Sequence, residues 1–139
     1  MRLLDRKGAE GYLRRNFVKG GWVTDIIDSF DFNKPVYEQI LYQGEEILQF
    51  VRNPSAFNLA PDTGEYFCLS GAAQKGLAII GGGGGRMLKR FTVGRTISVL
   101  EGTASRQDTN WKHAIGGPGG QTQMFIPKQI VMSGLRPLF

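Results

Sequence analysis

Two glutamines, Gln121 and Gln123, stand where a glycine-rich bend, Gly116-Gly117-Pro118-Gly119-Gly120, runs into the apolar stretch Met124-Phe125-Ile126-Pro127. Glycine lets a ligand come close to the backbone and adopts angles other residues refuse. A strand begun at this junction turns Gln121 and Gln123 to one face, because side chains alternate with period two. A carboxamide both donates and accepts hydrogen bonds, so a polar ligand could be held there. Other tools are excluded by count. One cysteine, Cys68, and one histidine, His113, fall short of the three or four ligands of a Cys/His zinc site and of the two thiols of a disulfide. Cys68 lies in the apolar run Tyr66-Phe67-Cys68-Leu69, the setting of a buried, inert thiol, and His113 beside Trp111 and Lys112 reads as a surface loop residue. Chemistry falls to Arg, Gln, Tyr, Ser and the carboxylates.

The elements that must position these groups belong to a chain of 139 residues, the length of one domain with a real core. With 41% hydrophobic and 21% charged residues it has the composition of a soluble globular protein. No apolar run approaches the ~18 residues of a membrane span, and no apolar h-region of a signal peptide follows Met1–Lys7. The net charge of +5 suits an anionic ligand or an acidic protein partner. Nucleic acid is disfavoured, since the basic residues are scattered apart from Arg86-Met87-Leu88-Lys89-Arg90. Five glycines, Gly81–Gly85, invite comparison with nucleotide loops, but no Gly-Lys-Ser/Thr follows and G-x-G-x-x-G fails at Arg86 or Met87. A surface loop and a phosphate cradle both remain open there.

In chain order, Tyr12, Leu13 and Phe17 with Leu3 and Leu4 form a loose helical face that the Gly20-Gly21 pair ends. Residues 1–20 thus read as a connector or N-terminal helix ahead of a domain over 21–139. Ile26–Phe30 fits a helical turn or a strand edge, and Val36 to Gly44 a short helix. Ile47–Arg52 reads as a strand with Leu48, Phe50 and Arg52 on one face, and Glu65–Leu69 as an aromatic strand. Lys89–Val93 and Thr96–Leu100 flank Gly94-Arg95 like a hairpin. A final strand is expected over Gln129–Met132. Many short strands and few helices argue for an α+β domain dominated by antiparallel sheet.

The order of these pieces resembles a known family. A Gly-Glu-Glu-Ile-Leu-Gln-Phe-Val-Arg strand, a Gly-x-Tyr-Phe strand, a basic residue opening Phe-Thr-Val, Val-Leu-Glu-Gly and a tryptophan loop lead to Gly-Gly-Pro-Gly-Gly-x-Thr-Gln-x-Phe-x-Pro. The chain is similar to the NAD glycohydrolase toxins of bacterial polymorphic systems, which include the tuberculosis necrotizing toxin, over roughly residues 36–131. The resemblance implies an ADP-ribosyltransferase-like fold, a mainly antiparallel split β-sheet with a few short helices. It implies hydrolysis of NAD, or NADP, to nicotinamide and ADP-ribose, with NAD as substrate and no other cofactor or metal. It further implies export within a larger effector, action in the target-cell cytoplasm during interbacterial competition, no membrane partner, and a cognate immunity protein.

The family's usual Pro-Gly-Gly-Gly-x-Gln places its functional glutamine at Gln123, with Gln121 where a third glycine is commoner. By the same resemblance Arg52, on the first core strand, is the ligand-binding arginine. Ser70 matches a hydroxyl of the second motif strand. The physical fit is independent. An oxocarbenium-like transition state needs a held ribose, stabilised charge and one water, and arginine clamps two phosphates, from Arg52 or Arg90. Tyr66 admits stacking on the ligand or core packing; Trp111 is placed to cover it. Glu101 could take the place of Gln123 or simply form a turn. Two other functions stay open: ADP-ribosyl transfer to a macromolecule, and a non-catalytic binding module. A glutamine rather than a glutamate at position 123 favours hydrolysis.

Overall fold

In Ile97–Thr103 (β6) apolar side chains alternate across the strand and both faces are covered. Ile97 and Val99 enter one apolar cluster, Leu100 a second, and Gly102 is buried beside it. The computed structural model describes residues 1–51, 66–68, 87–105 and 120–137. Around β6 it builds one sheet of eight strands in the order β1-β2-β6-β7-β4-β3-β5-β8, every neighbouring pair antiparallel. The strands are β1 (Arg2–Leu4), β2 (Val36–Leu41), β3 (Glu46–Val51), β4 (Tyr66–Cys68), β5 (Met87–Val93), β6, β7 (Thr122–Phe125) and β8 (Leu135–Pro137). Three helices accompany them: α1 (Arg6–Arg15), α2 (Gly20–Asp28) and α3 (Lys128–Gly134). This is the expected α+β architecture. None of the helices described is long and apolar enough to cross a membrane.

The two faces of the sheet have different covers. On one, Tyr12 and Leu13 of α1 and Ile26 and Ile27 of α2 bury Val36, Leu100 and Phe125. The Tyr12 hydroxyl donates to the Ser98 carbonyl at 2.8 Å, and burial holds its pKa well above the ordinary phenol value. On the other, Phe67, Phe91, Val99, Met124 and Ile126 close with Val131 and Leu135 from the C-terminal segment. Both sheet edges are short strands, and β8 carries Pro137, which an edge tolerates because one side of its backbone needs no ladder partner.

Four local expectations change. Residues 36–41 form strand β2, not a helix, since each of them has a register partner on β6 and their propensity is overridden by that ladder. Gln129–Met132 lie in α3, not a strand. Pro127 opens that helix, its carbonyl accepting from the Ile130 and Val131 amides, and the buried positions Val131 and Gly134 follow helical spacing. β5 and β6 flank Gly94-Arg95 without pairing: β5 joins β3 and β8, β6 joins β2 and β7. Gly20-Gly21 begins α2 and does not end α1.

Helix α1 stops instead at Asn16. The Phe17 amide bonds the Arg14 carbonyl and the Val18 amide the Leu13 carbonyl, a Schellman closure with Phe17 at φ 61 where glycine is the usual residue. A β-carbon in that conformation costs about 1–2 kcal/mol. Gly102 meets a different limit. A Cβ there would come within 2.9 Å of a Phe30 ring carbon and 3.0 Å of a Val36 methyl. Gly102→Ala is therefore expected to lower unfolding free energy by about 1–3 kcal/mol, read from urea denaturation; an unchanged midpoint would refute this close approach.

Candidate functional site

Register places a single row of side chains across the sheet: Arg90 opposite Leu48, Leu48 opposite Cys68, Cys68 opposite Gln123, and Gln123 opposite Gly102. Residues directly opposite share a face, so Gln123 and Arg90 look out on the same side, three strands or about 14 Å apart. Glu101, one residue along β6 from Gly102, points to the other face, and burial holds its carboxyl above the usual range. It is on a strand, not in a turn, and cannot stand in for Gln123 on that side.

Gln123 is the second residue of β7 and only 1% exposed. Its Nε2 donates to the Ser29 carbonyl at 2.9 Å and to Ser29 Oγ at 3.2 Å. The carbonyl partner fixes the orientation of the amide, since only a nitrogen can donate to it. Ser29 ends α2. It is fully buried, and its hydroxyl donates back to the Ile26 carbonyl at 2.6 Å. The Tyr66 hydroxyl donates to the same Oγ at 3.1 Å, and the Tyr66 ring meets Phe125 edge-on at 5.4 Å. Ser105 donates its amide to the Ser29 carbonyl and its hydroxyl to the Asp28 carbonyl. The end of α2 is thus stitched to β4, to β7 and to the end of β6.

Gly120 and Gln121, the described end of the glycine bend, border this cluster. Gly120 has φ 92, its amide reaches the Ala104 carbonyl, and Gln121 accepts from the Ala104 amide before β7 begins. Gln121 is half-buried in the bend itself, one residue ahead of the strand. The structure therefore brings Gln123 and Tyr66 together through Ser29. Nothing local in the sequence marks Ser29, because its partner Gln123 lies 94 positions away.

Arg90 stands apart. It is exposed and holds Glu46 with two bonds of 2.7 and 3.0 Å; these lower the Glu46 pKa and raise that of Arg90. An arginine bound this way must leave its carboxylate to grip a phosphate. Cys68 is a free thiol, buried in the row, and burial pushes its pKa up to about 11, so it is a poor nucleophile at neutral pH. Arg52, Ser70, Trp111, His113 and the glycines 81–85 lie outside the described residues. Among the described residues no group of three or more His, Cys, Asp or Glu could hold a metal ion.

Known structures share this architecture. The chain is similar to Tse6, solved in complex with Tsi6, with a TM-score of 0.71 and 22% identity over 96% of this chain and 93% of that one. It is similar to Rhs1-CT, solved with its cognate immunity protein RhsI1, with a TM-score of 0.53 and 16% identity over 78% and 82% of the two chains. At these identities the likeness is one of fold. No family model matches the chain, and no curated protein matches it in sequence.

The Ser29 anchor makes a charge at position 123 conditional on pH. In Gln123→Glu an ionised carboxylate would face the Ser29 carbonyl in a dry site, whereas the protonated acid could still donate to it. The folded-state pKa of that glutamate is then raised, so the folded state holds the extra proton. Stability is greatest below the ordinary carboxylate value of about 4.3 and is lost as pH rises through the folded-state pKa. Denaturation of Gln123→Glu should show a deficit against the parent that grows from pH 4 towards pH 8. Parallel pH profiles would show that the amide is not anchored as described.

Proposed function

We propose that this chain is the catalytic domain of a bacterial toxin that hydrolyses NAD, or NADP, to nicotinamide and ADP-ribose on an ADP-ribosyltransferase-like fold. The carrying observation is Gln123: the glutamine singled out by the Gly116–Pro127 resemblance is a buried amide on a central strand, anchored by Ser29 beside Tyr66. The fold shared with Tse6 and with Rhs1-CT, which was solved with a cognate immunity protein, supports the toxin reading and an immunity partner for this chain. The basic balance of the chain suits an acidic inhibitor. Export within a larger effector and action in the target-cell cytoplasm go with this reading.

In the reaction the C1′–N bond of the nicotinamide riboside breaks and its electron pair leaves with neutral nicotinamide. Water adds to C1′ and releases one proton. Because the leaving group departs neutral, little acid catalysis is required. The site's work is to hold the ribose and spread the oxocarbenium charge. The Ser29 anchor fixes the plane of the Gln123 amide, the group that the resemblance assigns to the ribose. Arg52, with Arg90 once released from Glu46, meets the phosphates; Ser70, Trp111 and Gln121 complete the substrate contacts.

Incubation of the purified domain with NAD should release nicotinamide, measured by chromatography. Gln123→Ala should lower that rate by about a hundredfold or more while keeping the parent's circular dichroism. A folded domain that releases nothing above buffer sinks the glycohydrolase proposal. Full activity in Gln123→Ala would instead remove the residue assignment alone, and label from NAD appearing on protein acceptors would favour the transferase.

A further inference from the structure

Beside the Tyr66 ring, on the side of the turn joining α1 to α2, lies a cleft of about 650 Å³. Its walls include Phe17, Trp22, Tyr66, Phe125, Lys19 and Lys128. That volume lies within the range of small-ligand sites. Tyr66 and Phe125, edge-to-face at 5.4 Å, form an aromatic floor. Phe17 and Trp22 stand at the rim, 79% and 54% exposed. Rings of that size usually find cover in a domain with this much core. Phe17 is also held at φ 61, a backbone geometry that would suit glycine better. The position therefore keeps a phenyl ring in water against both solvation and backbone preference.

The charged groups among the described residues of the cleft are both basic. Lys19 and Lys128 line it, and no carboxylate is among its described lining residues. Aromatic rings accept the flat face of a base, and lysine ammonium groups attract phosphate as point charges. We propose that this cleft binds a nucleoside phosphate, its base stacked between Phe17 and Trp22 above the Tyr66–Phe125 floor and its phosphate at Lys19. The site abuts the anchor of Gln123, because Tyr66 forms its floor and donates its hydroxyl to Ser29. The ligand chemistry has two sources, a free mononucleotide or one half of a dinucleotide; only the second rests on the proposed NAD hydrolysis.

Calorimetric titration of the full chain with AMP, adenosine and inorganic phosphate tests this without any turnover. AMP should bind, with adenosine about tenfold weaker for want of the lysine contact. Lys19→Ala should weaken AMP and leave adenosine unchanged, while Trp22→Ala should weaken both by about tenfold. Phe17→Gly gives the sharpest contrast: it should melt no lower than the parent, because the strained backbone is relieved, and yet bind AMP about tenfold more weakly. A ring kept for packing predicts the opposite, a lower melting temperature with AMP affinity unchanged. Absence of any AMP heat at about 1 mM ligand, or AMP affinity indifferent to both Trp22→Ala and Phe17→Gly, overturns the proposal. Displacement of AMP by a non-hydrolysable NAD analogue assigns the cleft to the dinucleotide, and its failure to displace AMP assigns it to a free nucleotide. Both results are readable even if the domain hydrolyses nothing.

Discussion

A single amide nitrogen, Nε2 of Gln123, is shared between the carbonyl and the hydroxyl of Ser29 in a dry interior. The arrangement around the candidate site depends on that junction. A net hydrogen bond contributes only about 1 kcal/mol, but a buried group left without its partner costs about 1–3 kcal/mol. Here the consequences compound, because Ser29 also receives the Tyr66 hydroxyl and the Ser105 amide. Loss of the junction would leave the end of α2, the floor residue on β4 and the start of β7 without a common reference.

Tyr66 shows how much is spent on holding one ring. Among the described residues β4 spans Tyr66–Cys68 and meets β3 at one register pair, Leu48–Cys68. Gln49, a buried glutamine of β3, supplements that pairing by donating from Nε2 to the Tyr66 carbonyl at 3.3 Å, while its own Oε1 finds no partner among the described residues. The residue is therefore tied at its backbone by one buried glutamine and at its hydroxyl by a serine that a second buried glutamine also holds. Leucine at position 49 would fill the core without an orphaned oxygen. Keeping an amide at that cost is understandable if what matters is where the Tyr66 ring lies, between the anchored Gln123 and the aromatic cleft.

The sequence reveals those parts of the fold whose signal is local. Leu48 and Phe50 alternate with Gln49 and Val51, so β3 is legible; the aromatic run predicts β4, and the glycine-to-apolar junction predicts β7. The inert thiol of Cys68 follows from its apolar neighbours. What is not legible depends on partners distant in sequence. Val36–Leu41 carries the polar Glu38 and Gln39, which suit a helix surface as well as a strand, and only β6 decides between them. Ile130-Val131-Met132 looks like a strand by propensity, but the backbone leaves Pro127 already turned into a helix. Position 17 is least readable of all, because a phenylalanine carries no sign of the positive φ that makes it unusual.

The same contrast separates fold from chemistry. Identities of 22% and 16% with Tse6 and Rhs1-CT accompany a similar fold, so the fold tolerates wide replacement of the residues that build it. Core positions exchange apolar groups of similar size at little cost. A buried amide anchored to a backbone carbonyl is harder to exchange, because an acid at neutral pH brings a charge, an apolar group leaves the carbonyl without this donor, and a shorter amide does not reach. At position 123 the constraint is therefore chemical and local, set by Ser29.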